Sequence, residues 1–154
     1  MIIAIDPGNI KSAYCVLRED YSIVEFGKVT NEELLEHIRT RGFKYNPLVI
    51  EMIASYGMAV GKEVFETCVW IGRFIECYGG RYELVYRKDE KMNLCGSMRA
   101  KDSNIRMALI DRFAKFDFKN GKGTKKKQDT FYGFSADMWS AMAVGVTYLD
   151  GVER

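Results

Sequence analysis

Apolar residues come in short uninterrupted runs over the first half of the chain and at helical spacing over most of the second. Residues 2–5 (IIAI) and 47–50 (PLVI) read as buried strands, and 12–17 and 22–29 alternate more loosely as two further strands, the first of them entered through a Pro7-Gly8-Asn9 turn. Thr30, followed three residues later by Glu33, forms a capping box and predicts a helix to about Thr40. Residues 62–78 place Val64, Cys68, Ile71 and Ile75 on one stripe and stop at Gly79-Gly80, the pattern of a long amphipathic helix with a glycine cap. Residues 82–86 make a fifth strand. Asp102-Ser103 can cap a helix with Ile105, Ala108, Leu109 and Phe113 at core spacing. Residues 116–134 then read as a flexible Gly- and Lys-rich loop. Ser135 caps a last helix, from about Ala136 to Leu149, that is apolar nearly all round and therefore expected to be buried. Trp70 and Trp139 lie in apolar helices and are assigned to the core.

Strands first, then helix, strand, helix, strand and helices describe an α/β layer with a mixed sheet. A chain of 154 residues fits one domain, 1–154, large enough to bury roughly two-thirds of its unfolded surface. Its longest apolar run, Met138 to Leu149, is too short to span a bilayer, and the first residues lack a basic stretch followed by an apolar one, so a cytoplasmic location and no membrane partner are expected. Cys15, Cys68, Cys77 and Cys95 show no Cys-x-x-Cys spacing and predict free thiols. His37, between Glu36 and Ile38 in a polar helical segment, is expected to be solvated. Any metal chemistry must then rely on oxygen ligands.

Charge changes this picture more than composition does. The net value is only +2, yet residues 81–127 hold fourteen Lys and Arg against six Asp and Glu, so one surface attracts polyanions while the remainder is acidic. A solvated basic face and a phosphate-backbone contact both satisfy that asymmetry.

Three acids stand out against apolar surroundings. Asp6 and Glu51 directly end strongly apolar strands, and Asp137 lies in the first turn of the apolar final helix. Each has an ordinary explanation: Asp6 can cap its turn, Glu51 can end a strand in a salt bridge, and Asp137 favours a helix N-terminus. Together, with no Lys or Arg inside their own elements, they point to a cation, Mg2+ first among oxygen-liganded metals. Two such ions about 4 Å apart can clamp a phosphodiester, one activating water and the other stabilising the leaving oxygen.

In order and spacing over nearly the whole chain, "IIAIDPGNIKSAYCVL", "PLVIEM" and "SADMWSAMAVGVTYL" resemble the RuvC-like Holliday-junction resolvases of the RNase H-like nuclease superfamily, in their short phage and prophage form. The resemblance implies an RNase H-like fold, a mixed five-stranded sheet flanked by helices. It implies a Mg2+-dependent endonuclease, with Mn2+ as a substitute, that resolves four-way junctions and other branched DNA. Asp6, Glu51 and Asp137 become the metal-binding and catalytic acids. The family's usual fourth acid, one helical turn after the third, is here Ser140, a neutral ligand at best, which weakens the second metal position. Asp129 in the preceding loop is an alternative source of charge.

"KMNLCGSMRAKDSNIRMAL" resembles the family's segment of active-site and DNA-contacting lysines, with Lys91 and Lys101 at the corresponding places. Lys101 is thereby assigned to offset charge on the phosphate, whereas Lys91 serves equally well as a solvated loop residue. Tyr56 sits where relatives use an aromatic to open the junction, and it can stack on an unpaired base or on its own loop. Lys122, Lys125, Lys126 and Lys127 belong to a loop without the spacing of a nucleotide-binding P-loop, and contact with a DNA backbone is expected of them. Paired cuts imply a homodimer, with Val69, Trp70 or Phe74 of the long helix at its interface. In a phage-encoded protein the setting would be the bacterial host cell. Two other functions stay open: a nuclease of the same superfamily for flaps, forks or structured RNA, and a junction-binding protein with weak or no catalysis, which Ser140 favours.

Overall fold

The computed structural model describes residues 1–152. Five strands, β1 (Ile2–Asp6), β2 (Lys11–Leu17), β3 (Ile23–Thr30), β4 (Leu48–Met52) and β5 (Tyr82–Tyr86), form one sheet in the order β3-β2-β1-β4-β5. The first three run as an antiparallel meander, and β4 and β5 add in parallel to the other edge of β1, which makes the sheet mixed as expected. The helices are α1 (Asn31–Arg41), α2 (Lys62–Tyr78), α3 (Arg87–Cys95), α4 (Asp102–Phe113) and α5 (Ala136–Val152). Among the described residues, no helix is long and apolar enough to cross a membrane.

The sheet separates two cores. Ile3, Ile5, Tyr14, Val16, Leu48 and Ile50 face α1 and α2, whereas Ile2, Ala4, Ala13, Cys15, Leu17, Val49 and Val85 face α5. β1 is central and buried on both faces, hence its unbroken apolar run. Helix α5 is buried because it lies directly on β1 and β2, and Gly145 permits that approach. A β-carbon on Gly145 would stand 2.6 Å from Leu17 Cδ1 and 3.1 Å from Ala4 Cβ.

Several sequence expectations change. The helix α3, with its buried Glu90, was not foreseen: its residues RKDEKMNLC carry almost no apolar periodicity, and tertiary contacts with β5, α4 and α5 define it. His37 is half-buried instead of solvated, stacked on Tyr45 and sharing a 2.6 Å hydrogen bond with its hydroxyl. Burial lowers its pKa. Phe74, on the inner face of α2, is wholly buried and unavailable to a partner, while Val69 is 63% exposed. All four cysteines are free as expected, but only Cys15 is fully buried. Trp139 is core, whereas Trp70 is partly exposed with the Arg73 guanidinium 4.0 Å above its ring.

The loop before α5 is organised around two carboxylates. Asp129 is buried and accepts the backbone N–H groups of Lys115, Phe116, Asp117 and Thr130, while Asp117 accepts those of Asn120 and Gly123. Burial alone would raise the Asp129 pKa, and these donors more than reverse it, holding the carboxyl below the ordinary range. Asp129 is therefore a structural anchor and does not replace a missing acid at Ser140. Phe131 and Phe134 then dock on Trp139, with Phe26 against Phe134, and this aromatic cluster fixes where α5 begins.

Candidate metal and nucleic-acid site

Strand periodicity places the first two acids. The parallel pairing sets Ile5 beside Ile50, so the next residue of each strand, Asp6 and Glu51, leaves the sheet at the same edge. Side chains alternate between faces, and Asp6 shares its face with Ile2 and Ala4 as Glu51 does with Val49, the face that carries α5. Both carboxylates thus arrive at one point under the N-terminal turn of α5. Burial pushes the Asp6 carboxyl up to about 8, with Glu51 and Asp137 adding repulsion, and the two strand-end acids lie close enough to share a hydrogen bond. Burial raises Glu51 as well, against the pull of the Arg87 guanidinium.

The turn after Asp6 is braced from below. Ser12 donates to Asn31 Oδ1 at 2.6 Å and accepts the Gly8 N–H at 3.1 Å, while Asn31 Nδ2 donates to the Gly8 carbonyl at 2.9 Å. Both side chains are buried. Gly8 is required there, because a β-carbon would fall 2.3 Å from the Lys11 carbonyl oxygen. Local pattern marks Asn31 only as a helix start; its role depends on β2 and α1 meeting, which no short stretch announces.

Asp137 opens toward the same edge and forms a salt bridge with Lys28 of β3. The acid therefore has a basic partner, contributed by another element. Asp6, Asp137, Lys11 and Lys28 line a cleft of about 560 Å³ around the Pro7-Gly8 turn. Among the described residues, no group of three or more His, Cys, Asp and Glu side chains is already closed into a metal-holding arrangement. Ser140 is half-buried one turn after Asp137 on α5.

The residue that sequence reading missed is Glu90. It is wholly buried, lies within hydrogen-bonding reach of Glu51, and is pushed up to about 9 by burial and then by Glu51. Arg87 donates to Glu90 Oε1 at 3.1 Å and also binds Asp102. The only available signal was an acid beside an apolar strand end, diluted by seven other charges from Arg87 to Asp102.

The other predicted residues are distributed around this edge. Tyr56 is 63% exposed at the tip of the β4–α2 loop with a positive φ of 50°, and Lys101 is exposed immediately before α4. Lys91 is half-buried on α3. Lys125, Lys126 and Lys127 occupy an exposed turn closed by the Gly123–Gln128 bridge, with Lys127 above the Phe116 ring. Lys122 lines a separate cleft of about 470 Å³ with Arg106, Lys119 and Trp139. That cleft and the acidic edge are both bordered by the first turns of α5.

The donor set suits a hard divalent cation. It consists of carboxylate oxygens, and beside it Glu90 Oε2 is buried without a hydrogen-bond partner. A mixed five-stranded sheet in the order β3-β2-β1-β4-β5, with helices on both faces, is the RNase H-like class of fold. Within that class the chain is similar to the Thermus thermophilus RuvC structure, with a TM-score of 0.65 and 12% identity over 99% of this chain and 95% of that one. It is also similar to T. thermophilus RuvC in complex with Holliday junction substrate, with a TM-score of 0.60 and 13% identity over 95% and 90% of the two chains. No family model and no curated protein sequence matches the chain.

Proposed function

We propose that this protein is a divalent-metal-dependent endonuclease that cuts branched DNA, with the four-way junction as its substrate. The observation that carries this reading is the convergence of Asp6 and Glu51 at one sheet edge, with Asp137 across a cleft that also holds Lys11 and Lys28. Buried acids that repel one another favour a cation over separate salt bridges, and lysines in the same cleft favour a phosphodiester as the molecule that brings it. The fold shared with RuvC, including RuvC solved with a Holliday junction, supports the choice of substrate.

Asp6, Glu51 and Asp137 would hold Mg2+, or Mn2+ in its place, with Ser140 as a weak neutral ligand. The ion supplies activation of water and stabilisation of the leaving oxygen. The protein supplies the rest. The Ser12–Asn31 brace fixes the direction of Asp6, and Lys28, which pairs with Asp137 across the cleft, would be left to meet a phosphate if that acid were to hold the ion. Lys101 lies at the start of α4 to offset negative charge on the cleaved strand, and Lys91 lies nearby on α3. Lys122, Lys125, Lys126 and Lys127 hold the backbone away from the cut, while Tyr56, carried on an exposed loop tip, stacks on a base at the branch point. Two symmetric cuts call for two copies, paired through the outer face of α2, where Phe65 and Val69 are 62% and 63% exposed and Trp70 flanks them. The proposed setting is the cytoplasm, that of a bacterial host if the protein is phage-encoded.

The test is cleavage of a synthetic four-way junction with Mg2+ and then Mn2+, beside flap, fork, linear and structured RNA substrates. Paired nicks in the junction, lost in Asp6→Asn and Asp137→Asn but retained or increased in Ser140→Asp, are expected. Cleavage by Asp137→Asn at the parent rate refutes the site, and preference for a flap or RNA moves the substrate to another branch of the superfamily. Ser140 favours a second reading, a junction-binding protein with little catalysis, in which the parent binds the junction tightly and cuts with neither metal.

A further inference from the structure

We propose that Glu90 is a metal-ligating carboxylate of this site, supplying from α3 the charge that Ser140 does not supply from α5. The inference rests on the metal-dependent reading above and extends it to a residue that no sequence motif marks.

Topology brings Glu90 there. β5 pairs in parallel with β4, with Val85 beside Glu51, and α3 starts immediately after β5 at Arg87. One helical turn later Glu90 points back across the end of β4, where its carboxyl comes within hydrogen-bonding reach of Glu51. The residue has 0% exposure, which for a glutamate is unusual without a full set of partners. Its partners are incomplete. Oε1 receives the Arg87 guanidinium at 3.1 Å, but Oε2 is buried without any donor.

Arg87 cannot neutralise the cluster alone. Its guanidinium is divided between Glu90 and Asp102, and Asp6, Glu51 and Glu90 lie on its inner side. Buried carboxyls in this arrangement persist either by sharing protons or by sharing a cation. A structural glutamate that only tied down α3 would need Arg87 and nothing more, and its second oxygen would be expected to reach solvent or a backbone N–H. Oε2 does neither, and the carboxyl it belongs to lies within hydrogen-bonding reach of Glu51, an acid of the strand edge already proposed to hold metal. α3 follows β5 at one edge of the sheet and packs on the same face as α5, whereas Lys28 belongs to β3 at the other edge. The ligands would then come from β1, β4 and α3 around one position, with Asp137 and Ser140 completing the α5 side.

Metal affinity tests the assignment independently of cleavage. Mn2+ binding to the full chain is measured by titration calorimetry and by the EPR signal of free Mn2+, for the parent, Asp6→Asn, Glu90→Gln and Glu90→Asp, with urea unfolding of each in chelator. Glu90→Gln keeps an oxygen for Arg87 while removing the charge. Its Mn2+ affinity is expected to fall at least tenfold, with stability in chelator equal to or above the parent's; a purely structural Glu90 would reverse that pattern. Glu90→Asp, which keeps the charge but shortens the reach, is expected to fall between the two. Parent-like Mn2+ affinity in Glu90→Gln, or in Glu90→Asp should the first variant not fold, overturns the role of Glu90 while leaving the centre intact if Asp6→Asn loses binding. A parent that binds no Mn2+ overturns both the centre and Glu90's place in it.

Discussion

The brace beneath the Pro7-Gly8 turn gives the sharpest quantitative expectation. Asn31→Ala removes the acceptor of the Ser12 hydroxyl at 2.6 Å and the donor to the Gly8 carbonyl at 2.9 Å, at a position with 0% exposure. Two hydrogen bonds contribute about 1 kcal/mol each, and the groups left behind are a buried hydroxyl and a half-buried carbonyl, so the total cost is roughly 2–4 kcal/mol. Ser12→Ala deletes the acceptor of the Gly8 N–H and strands Asn31 Oδ1, for roughly 1–3 kcal/mol. Because the two side chains share one hydrogen bond, the double variant should cost less than the sum by about 1 kcal/mol or more. Urea unfolding of the four proteins measures this cycle, with the denaturant slope unchanged if only native interactions were removed. Gly8 lies two residues from Asp6, so metal-dependent cleavage should fall in both single variants at temperatures where they remain folded. Additive costs, or a loss under about 0.5 kcal/mol for Asn31→Ala, would show that the turn holds Asp6 without this network.

Other outcomes follow from other parts of the molecule. In Gly145→Ala the new methyl group meets Leu17 and Ala4 of the sheet; the overpacking exceeds the roughly 1 kcal/mol gain in helix propensity, and thermal unfolding should show net destabilisation of about 1–2 kcal/mol. Burial alone would raise the Asp150 carboxyl, but Arg112, Asn93 and Tyr21 hold it at about 2. Its stabilising contribution is therefore complete above the unfolded value near 3.8 and disappears as pH falls from there toward 2. Acid unfolding of Asp150→Asn should lack that part of the slope, and the variant should lose roughly 1–2 kcal/mol at neutral pH. Replacing Lys125, Lys126 and Lys127 with Ala should weaken junction binding and flatten its salt dependence by up to about 0.9 in log–log slope for each phosphate no longer neutralised, while Mn2+ affinity stays at the parent value.

Local pattern carried most of the architecture because the strongest signals were local. The unbroken IIAI and LVI runs mark strands covered on both faces, the 62–78 periodicity matches α2 at both ends, and Thr30 caps α1 by accepting the Glu33 N–H. The same runs drew attention to Asp6 and Glu51, since an acid at the end of a buried strand is conspicuous in one dimension. Helix α3 gave no such signal. Its polar residues are held by what surrounds them, and Glu90 among them looks like one more solvated charge until the fold buries it. Asp129 misled for the opposite reason: an acid in a lysine-rich loop resembles a free ligand, yet its charge is consumed by backbone N–H groups that gather only when the loop closes.

Sequence by itself therefore determined the order of the five strands and of α1, α2, α4 and α5, the two strand-end acids and the acidic start of the last helix, because each depends on the period of hydrophobicity along a short stretch. Tertiary structure decided that Asp6 and Glu51 share one face, that Lys28 meets Asp137, that Ser12 and Asn31 brace the turn, and that Glu90 lies beneath them. Those facts depend on strand register and on which helix crosses which strand end. Chain-distant groups acquire a common electrostatic environment only when packing removes the water between them.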